Sequence, residues 1–126
     1  MIKPDGVFRG LTEEIIRRIE QSGLRVVEKK KTRLSREEAE KLYEVHRGKE
    51  FFQRLIDFTI SGEVVLMKVE GENAVARMRE LVGPIDPSKA PKGTIRGDFG
   101  TTITQNVIHA ADSPESAKRE LSLFFE

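Results

Sequence analysis

Residues 61–75 read SGEVVLMKVEGENAV, and Val64-Val65-Leu66-Met67-Lys68-Val69 within them is the most apolar run in the chain. A short apolar run bounded by turn residues predicts a buried central strand, since a helix needs greater length and a 3.6-residue period. Ser61-Gly62 and Gly71-Glu72-Asn73 supply those boundaries. Beyond them Val75, Met78, Leu81 and Val82 recur at helical spacing until Gly83-Pro84 stops the pattern. The fold follows from what flanks this strand–helix pair.

Toward the N-terminus, Phe51, Phe52, Leu55 and Phe58 predict a helix, with Phe52 the better core candidate. Ser35-Arg36-Glu37-Glu38 is a capping box opening another helix through Ala39, Leu42 and Tyr43, with His46 near its end before the break at Gly48. Leu24 to Leu34 predicts a strand, but Glu28-Lys29-Lys30-Lys31 is too charged for burial on both faces, which places it near a sheet edge. Thr12-Glu13-Glu14 with Ile15, Ile16 and Ile19 reads as a capped helix ending at Ser22-Gly23. Only Met1 and Ile2 precede Lys3-Pro4-Asp5-Gly6, read as turn chemistry, so the first strand is expected to start partway through.

Toward the C-terminus, Pro84 to Gln105 carries Pro84, Pro87, Pro91 and several glycines without periodicity, and reads as a structureless functional stretch. Val107-Ile108 predicts a short strand ending at His109, and Ser113-Pro114 caps a last helix through Ala117, Leu121 and Phe124. The order of elements predicts an α+β, ferredoxin-like sandwich: a four-stranded antiparallel sheet covered by helices, in a single domain over 1–126.

Composition bounds the chemistry. The 22 basic and 21 acidic residues leave no net field for indiscriminate nucleic-acid or membrane binding, so an anionic ligand needs a local pocket. There is no cysteine, which excludes disulfides, thiolate metal sites and thiol nucleophiles and fits the cytoplasm. No apolar run approaches the roughly 18 residues of a membrane span. Aromatics on central strands and a basic face, the marks of an RNA-binding module, are missing. P-loop and dinucleotide-binding signatures are absent, and Asp98-Phe99-Gly100 lacks the other protein-kinase motifs. That leaves His109, one of two histidines. A neutral imidazole is a competent nucleophile near neutral pH and forms a labile phosphorylated intermediate, although a lone histidine at a strand end is more often structural.

Five segments together outweigh that prior: IKPDGVFRGL at 2–11, HRGKEFF at 46–52, SGEVVLMKVEGENAV at 61–75, GTIRGDFG at 93–100 and NVIHAADSPESAKRE at 106–120. They closely resemble nucleoside diphosphate kinase. The resemblance implies reversible ping-pong transfer of a γ-phosphoryl group from a nucleoside triphosphate to a diphosphate through a phosphohistidine. Expected substrates are ATP, GTP, ADP, GDP, CDP, UDP and the deoxy forms. Mg²⁺ would be carried by the nucleotide phosphates with no direct protein ligand, and Asp98 would brace its loop. By the same resemblance His109 matches the nucleophile and Glu120 the carboxylate on its other ring nitrogen. Lys3 matches the lysine of the γ-phosphate and sugar, and Asn106 the sugar-holding residue. Arg79 and Arg96 correspond to phosphate-clamping arginines, and Tyr43 to a tyrosine beside the nucleophile. Phe51 corresponds to the base-stacking ring, with Ile103 on the base's other face and Leu55 nearby. Family members assemble as homo-oligomers, hexamers or tetramers of dimers.

Three departures from the family pattern matter. Ile85 stands where the family usually has a phosphate-contacting Thr, which implies nucleotide binding weaker by several-fold to about a hundredfold. Ala111 stands where a Ser usually supports the Glu–His pair. The chain also begins inside the first strand and stops short of the family's C-terminal tail. Together they raise an alternative: a catalytically weakened or inactive relative that binds nucleotide and oligomerises.

Overall fold

The structure, a computed structural model, describes residues 1–125; Glu126, the last residue of the expected domain, lies outside the described residues. In chain order it comprises α1 (Pro4–Phe8), α2 (Thr12–Gln21), β1 (Arg25–Thr32), α3 (Arg36–Leu42), α4 (Phe52–Thr59), β2 (Val64–Glu70), α5 (Ala74–Val82), α6 (Ile95–Phe99) and α7 (Pro114–Phe124). Two 3₁₀ turns, Glu44–His46 and Pro87–Lys89, complete it.

The run that opened the sequence reading is β2, and it is buried on both faces. Val65 packs with Ile15, Ile19, Val82, Ile95 and Ile108 in one cluster. Val64 and Leu66 pack with Leu34, Ala39, Tyr43, Phe52 and Ile56 in another. Successive strand residues point to opposite faces, so an unbroken apolar run feeds two cores at once. Burying each such side chain contributes about 1.5–3 kcal/mol. β1 pairs antiparallel with β2, Thr32 opposite Val64 and Arg25 opposite Glu70, with an irregularity between Val26 and Glu28. Its side chains are almost all exposed, as expected of an edge strand whose lysines face solvent.

On the other side of β2, Ile2 forms antiparallel bridges to Val65 and to Ile108. The sheet order is therefore β1, β2, Ile2, Ile108, an antiparallel α+β sandwich. Among the described residues only β1 and β2 form ladders, and the other two sheet positions are single bridges. Two local causes account for this. Pro4 occupies the first helical turn of α1, so Lys3 is a helix cap and the segment that pairs, Met1 to Lys3, is too short for a ladder. Val107 has φ +78°, which no strand residue adopts, so pairing begins only at Ile108.

These features correct three expectations. Lys3-Pro4-Asp5-Gly6 opens a helix where a turn was read. Val107-Ile108 is not a two-residue strand. The stretch from Pro84 to Gln105 holds a 3₁₀ turn and α6, capped by the side chains of Asp86 and Thr94. The start of α2 also differs, since Thr12 is its first residue and Leu11 stands at the cap without a side-chain hydrogen bond, whereas Ser35 and Glu38 form the expected capping box and Ser113 caps α7 with Pro114 in its first turn.

Candidate active site

The end of Ile2-Lys3, the end of α3, the start of α4, α6, α7 and the loop from Ile103 to His109 converge beside the short edge of the sheet. His109 is fixed at its backbone by donating from N to the Met1 carbonyl at 2.8 Å. Its ring Nε2 lies 2.8 Å from Oε1 of Glu120, which α7 presents from its middle turns. A carboxylate only accepts, so Nε2 carries the proton and Nδ1 keeps a free lone pair. Burial lowers the His109 pKa, against an opposing lift from the Glu120 hydrogen bond and charge. Burial outweighs the lift, so the imidazole that Glu120 orients stays neutral at neutral pH.

Tyr43 stands edge-on to that imidazole, ring centroids 5.1 Å apart at 77°. Its hydroxyl is buried and without a partner among the described residues, and burial first, then Glu120, pushes the phenol pKa up. The phenol therefore stays a neutral O–H donor close to His109.

Lys3 is 4% exposed, and its Nζ donates to Asn106 Oδ1 at 2.8 Å and to the Thr104 carbonyl at 3.3 Å. Burial, then repulsion from Arg96, brings its pKa down to about 8. Asn106 uses its other end as a tie: Nδ2 donates to the Ile85 carbonyl at 3.0 Å and the Ile103 carbonyl at 3.1 Å. One buried amide thus joins the two loops that present the exposed side chains of Ile85 and Ile103.

Arg96 is the residue whose placement is least expected from sequence. It is buried, with Nη1 donating to the Gly83 carbonyl at 3.0 Å and Nη2 to the Ile108 carbonyl at 2.7 Å. Its Nε is buried and unpartnered, and burial, then Arg79, lowers its pKa to about 10. Arg79 is exposed on α5, with Nη1 3.5 Å from the Ala110 carbonyl. Lys3, Arg79 and Arg96 therefore gather positive charge around His109, an arrangement suited to a polyphosphate.

Phe51 is half-buried at the start of α4, and Leu55 lies one turn on, buried beneath it. His46 does end a helical turn, yet its ring lies 5.3 Å from Phe51 and 6.2 Å from Tyr43, a link that the sequence reading did not foresee. No sequence signal distinguishes it from a solvated histidine. Phe52 is in the core. Asp98 braces its loop, taking the Gly93 N–H at 3.0 Å and an ion pair from Arg18 at 2.7 Å. Ala111 contributes no hydroxyl to Glu120, whose Oε2 is 3.9 Å from Arg119.

Between Asn106 and His109 the chain makes a tight turn. The Ile108 N–H donates back to the Asn106 carbonyl at 2.9 Å across Val107, at φ +78°. That is a γ-turn with a β-branched residue at its centre, a strained arrangement of the kind found at functional sites.

An antiparallel α+β sandwich carrying a carboxylate-paired histidine near the buried cations Lys3 and Arg96 suits a phosphotransferase. Residues 1–126 match the family described as "Nucleoside diphosphate kinase". The chain is 54% identical over 126 residues to a protein of that name from Saccharolobus solfataricus, covering 100% of this chain and 91% of the relative. It is 58% identical over 125 residues to one from Ignicoccus hospitalis, covering 99% and 85%. Among solved structures, the nucleoside diphosphate kinase of Aquifex aeolicus superposes with a TM-score of 0.96 at 41% identity, covering 99% of this chain and 91% of that one. The Halobacterium salinarum enzyme in complex with CDP gives 0.96 at 42% identity, covering 99% and 84%. The chain belongs to the nucleoside diphosphate kinase family, whose members are phosphotransferases.

Proposed function

We propose that this protein transfers a γ-phosphoryl group from nucleoside triphosphates to diphosphates through His109. The observation carrying this reading is the His109–Glu120 pair, which leaves Nδ1 free to attack. In the first half-reaction Nδ1 forms a bond to the γ-phosphorus while the bond to the β–γ bridging oxygen breaks, and the diphosphate leaves. In the second, a different diphosphate takes the group back. Glu120 stabilises the positive charge that develops on the ring. Lys3, Arg79 and Arg96 supply the charge that draws the phosphates in, and the Tyr43 hydroxyl is placed to donate near the transferred group.

Phe51 and Ile103 would hold the base by stacking and apolar contact, which tolerates any base and supports a range covering ATP, GTP, ADP, GDP, CDP, UDP and deoxy forms. The relative solved with CDP is consistent with that breadth. Among the described residues no group of three or more His, Asp or Glu side chains could hold a metal ion. Lys3, Arg79 and Arg96 suit phosphate oxygens, and Mg²⁺ would arrive on the nucleotide phosphates, where it would neutralise part of their charge. Among the described residues no helix is long and apolar enough to cross a membrane. We place the protein in the cytoplasm as a homo-oligomer, a hexamer or tetramer built from dimers, which light scattering would test.

Incubation with γ-labelled ATP and Mg²⁺ tests the mechanism. Acid-labile, alkali-stable label should appear on the protein, discharge to GDP or CDP, and vanish in His109→Ala. Equal labelling of that variant would sink the reading.

A further inference from the structure

The turn at Val107 needs something to hold it. A β-branched residue at positive φ is a backbone outlier that persists only where its surroundings over-determine it. Val107 is fully buried, so water does not compensate its peptide groups. Both of them are instead taken by the segment at the start of α1. The Lys3 N–H donates to the Val107 carbonyl at 2.8 Å. The Val107 N–H donates to Oδ2 of Asp5 at 3.1 Å. Gly6 allows this approach, because a Cβ there would lie 2.8 Å from Ile2 Cγ2 and 3.1 Å from the Val107 carbonyl.

Asp5 is a costly choice for that task. Its other oxygen, Oδ1, is buried without a partner among the described residues. Burial raises its pKa against the opposing pull of Lys3. A buried carboxylate oxygen left unsatisfied loses stability, so a purely structural cap would be better served by a neutral group. What the carboxylate controls is the peptide linking Asn106 to Ile108 and His109.

We propose that Asp5 is a positioning residue for phosphoryl transfer, its carboxylate clamping the Val107 turn that sets His109 against the nucleotide-holding Asn106. This rests on the His109 reading above. Asn106 is anchored independently, by Lys3, Ile85 and Ile103. Release of the clamp therefore lets the segment after Val107 relax toward negative φ, shifting His109 while the sugar anchor stays. Chemistry suffers and nucleotide affinity does not.

The test compares Asp5→Asn, Asp5→Ala and the double variant Asp5→Ala/Val107→Gly. The readouts are single-turnover phosphorylation by γ-labelled ATP, the dissociation constant for ADP, and a melting curve. An amide oxygen can still accept from the Val107 N–H, so Asp5→Asn should phosphorylate within about threefold of the unaltered protein. Asp5→Ala should slow phosphorylation by about tenfold or more, with ADP affinity unchanged within about twofold. Glycine adopts positive φ freely, so the double variant should regain most of the rate even if its melting temperature falls further. Three outcomes would overturn the proposal: Asp5→Ala phosphorylating at the normal rate, Asp5→Ala losing ADP affinity in proportion to rate, or glycine failing to restore the rate. If Asp5→Ala does not fold, Asp5→Asn decides: a tenfold loss there with intact ADP binding overturns it. Loss of labelling in His109→Ala with no effect of Asp5→Ala would reject the clamp and leave the phosphohistidine standing.

Discussion

Replacing Glu120 with Gln separates the two jobs the carboxylate performs for His109, orientation and charge. The contact is 2.8 Å, with both side chains largely shielded, at 20% and 15% exposure. A hydrogen bond to a charged group contributes about 1.5–3 kcal/mol, and a neutral one about 0.5–1.5 kcal/mol. Glutamine keeps an acceptor oxygen and loses the charge, so the developing imidazolium loses about 1–1.5 kcal/mol of stabilisation. At 1.36 kcal/mol per decade, phosphorylation should slow about five- to twelvefold. Alanine loses the whole contact, about 1.5–3 kcal/mol, and should slow it about ten- to a hundred-and-fifty-fold. The pH dependence carries the sign. Glu120 raises the His109 pKa against the lowering effect of burial. Removing its charge lets that pKa fall further, so the acid limb of the rate profile should move to lower pH while the plateau drops. Rapid-quench phosphorylation by γ-labelled ATP across the acid and neutral range reads both effects. Plateaus within about twofold in both variants, or an acid limb moving upward in the Gln variant, would refute the argument.

Three further outcomes are expected. Ile85→Thr returns a hydroxyl to a loop whose carbonyl is already tied to Asn106, and should lower nucleotide KM by several-fold to about a hundredfold in steady-state assays. Phe51→Ala should raise KM about five- to a hundred-and-fifty-fold for purine and pyrimidine substrates alike, from about 1–3 kcal/mol of lost stacking. Lys3 has a folded pKa of about 8 against 10.5 unfolded. As pH rises through 8 the free enzyme loses a phosphate-binding charge and kcat/KM should decline. Between 8 and 10.5 the unfolded chain binds the extra proton, so stability against denaturant should rise over the same interval.

How much of this was legible in sequence depended on whether a residue obeyed its local rule. β2 was readable because burial on both faces demands an unbroken apolar run, and β1 because a lysine-rich strand fits only an edge. The capping box of α3 and the Ser-Pro start of α7 were readable because capping chemistry is written in adjacent residues. α1 and α6 were not, since five residues are too few to display a helical period. The pairing of His109 with Glu120 followed from family resemblance alone, because nothing in an eleven-residue separation across a helix start fixes a 2.8 Å contact. Arg96 was read only as a phosphate-clamping match, and nothing in the sequence showed that two of its donors serve the Gly83 and Ile108 carbonyls.

The most informative miss is Val107. Valine favours strands, so the propensity reading extended the strand through it, and the structure instead places it in a left-handed γ-turn. A sequence violates its own propensities where something outside the local segment outweighs them, and such places are expected to be strained or functional. Here the outweighing contacts are identifiable: the Lys3 N–H, the Asp5 carboxylate and the close approach allowed by Gly6. All three come from the segment read as a simple turn. The same two segments therefore supply both errors and most of the site, since Lys3 and Asn106 meet across the contact that makes Val107 strained. In an ideal strand, alternate side chains from Asn106 to Ile108 would share one face, leaving His109 on the other. The γ-turn breaks that alternation, and it is this break, stabilised at a distance in sequence of a hundred residues or so, that the proposed mechanism requires if Asn106 and His109 are to meet one nucleotide.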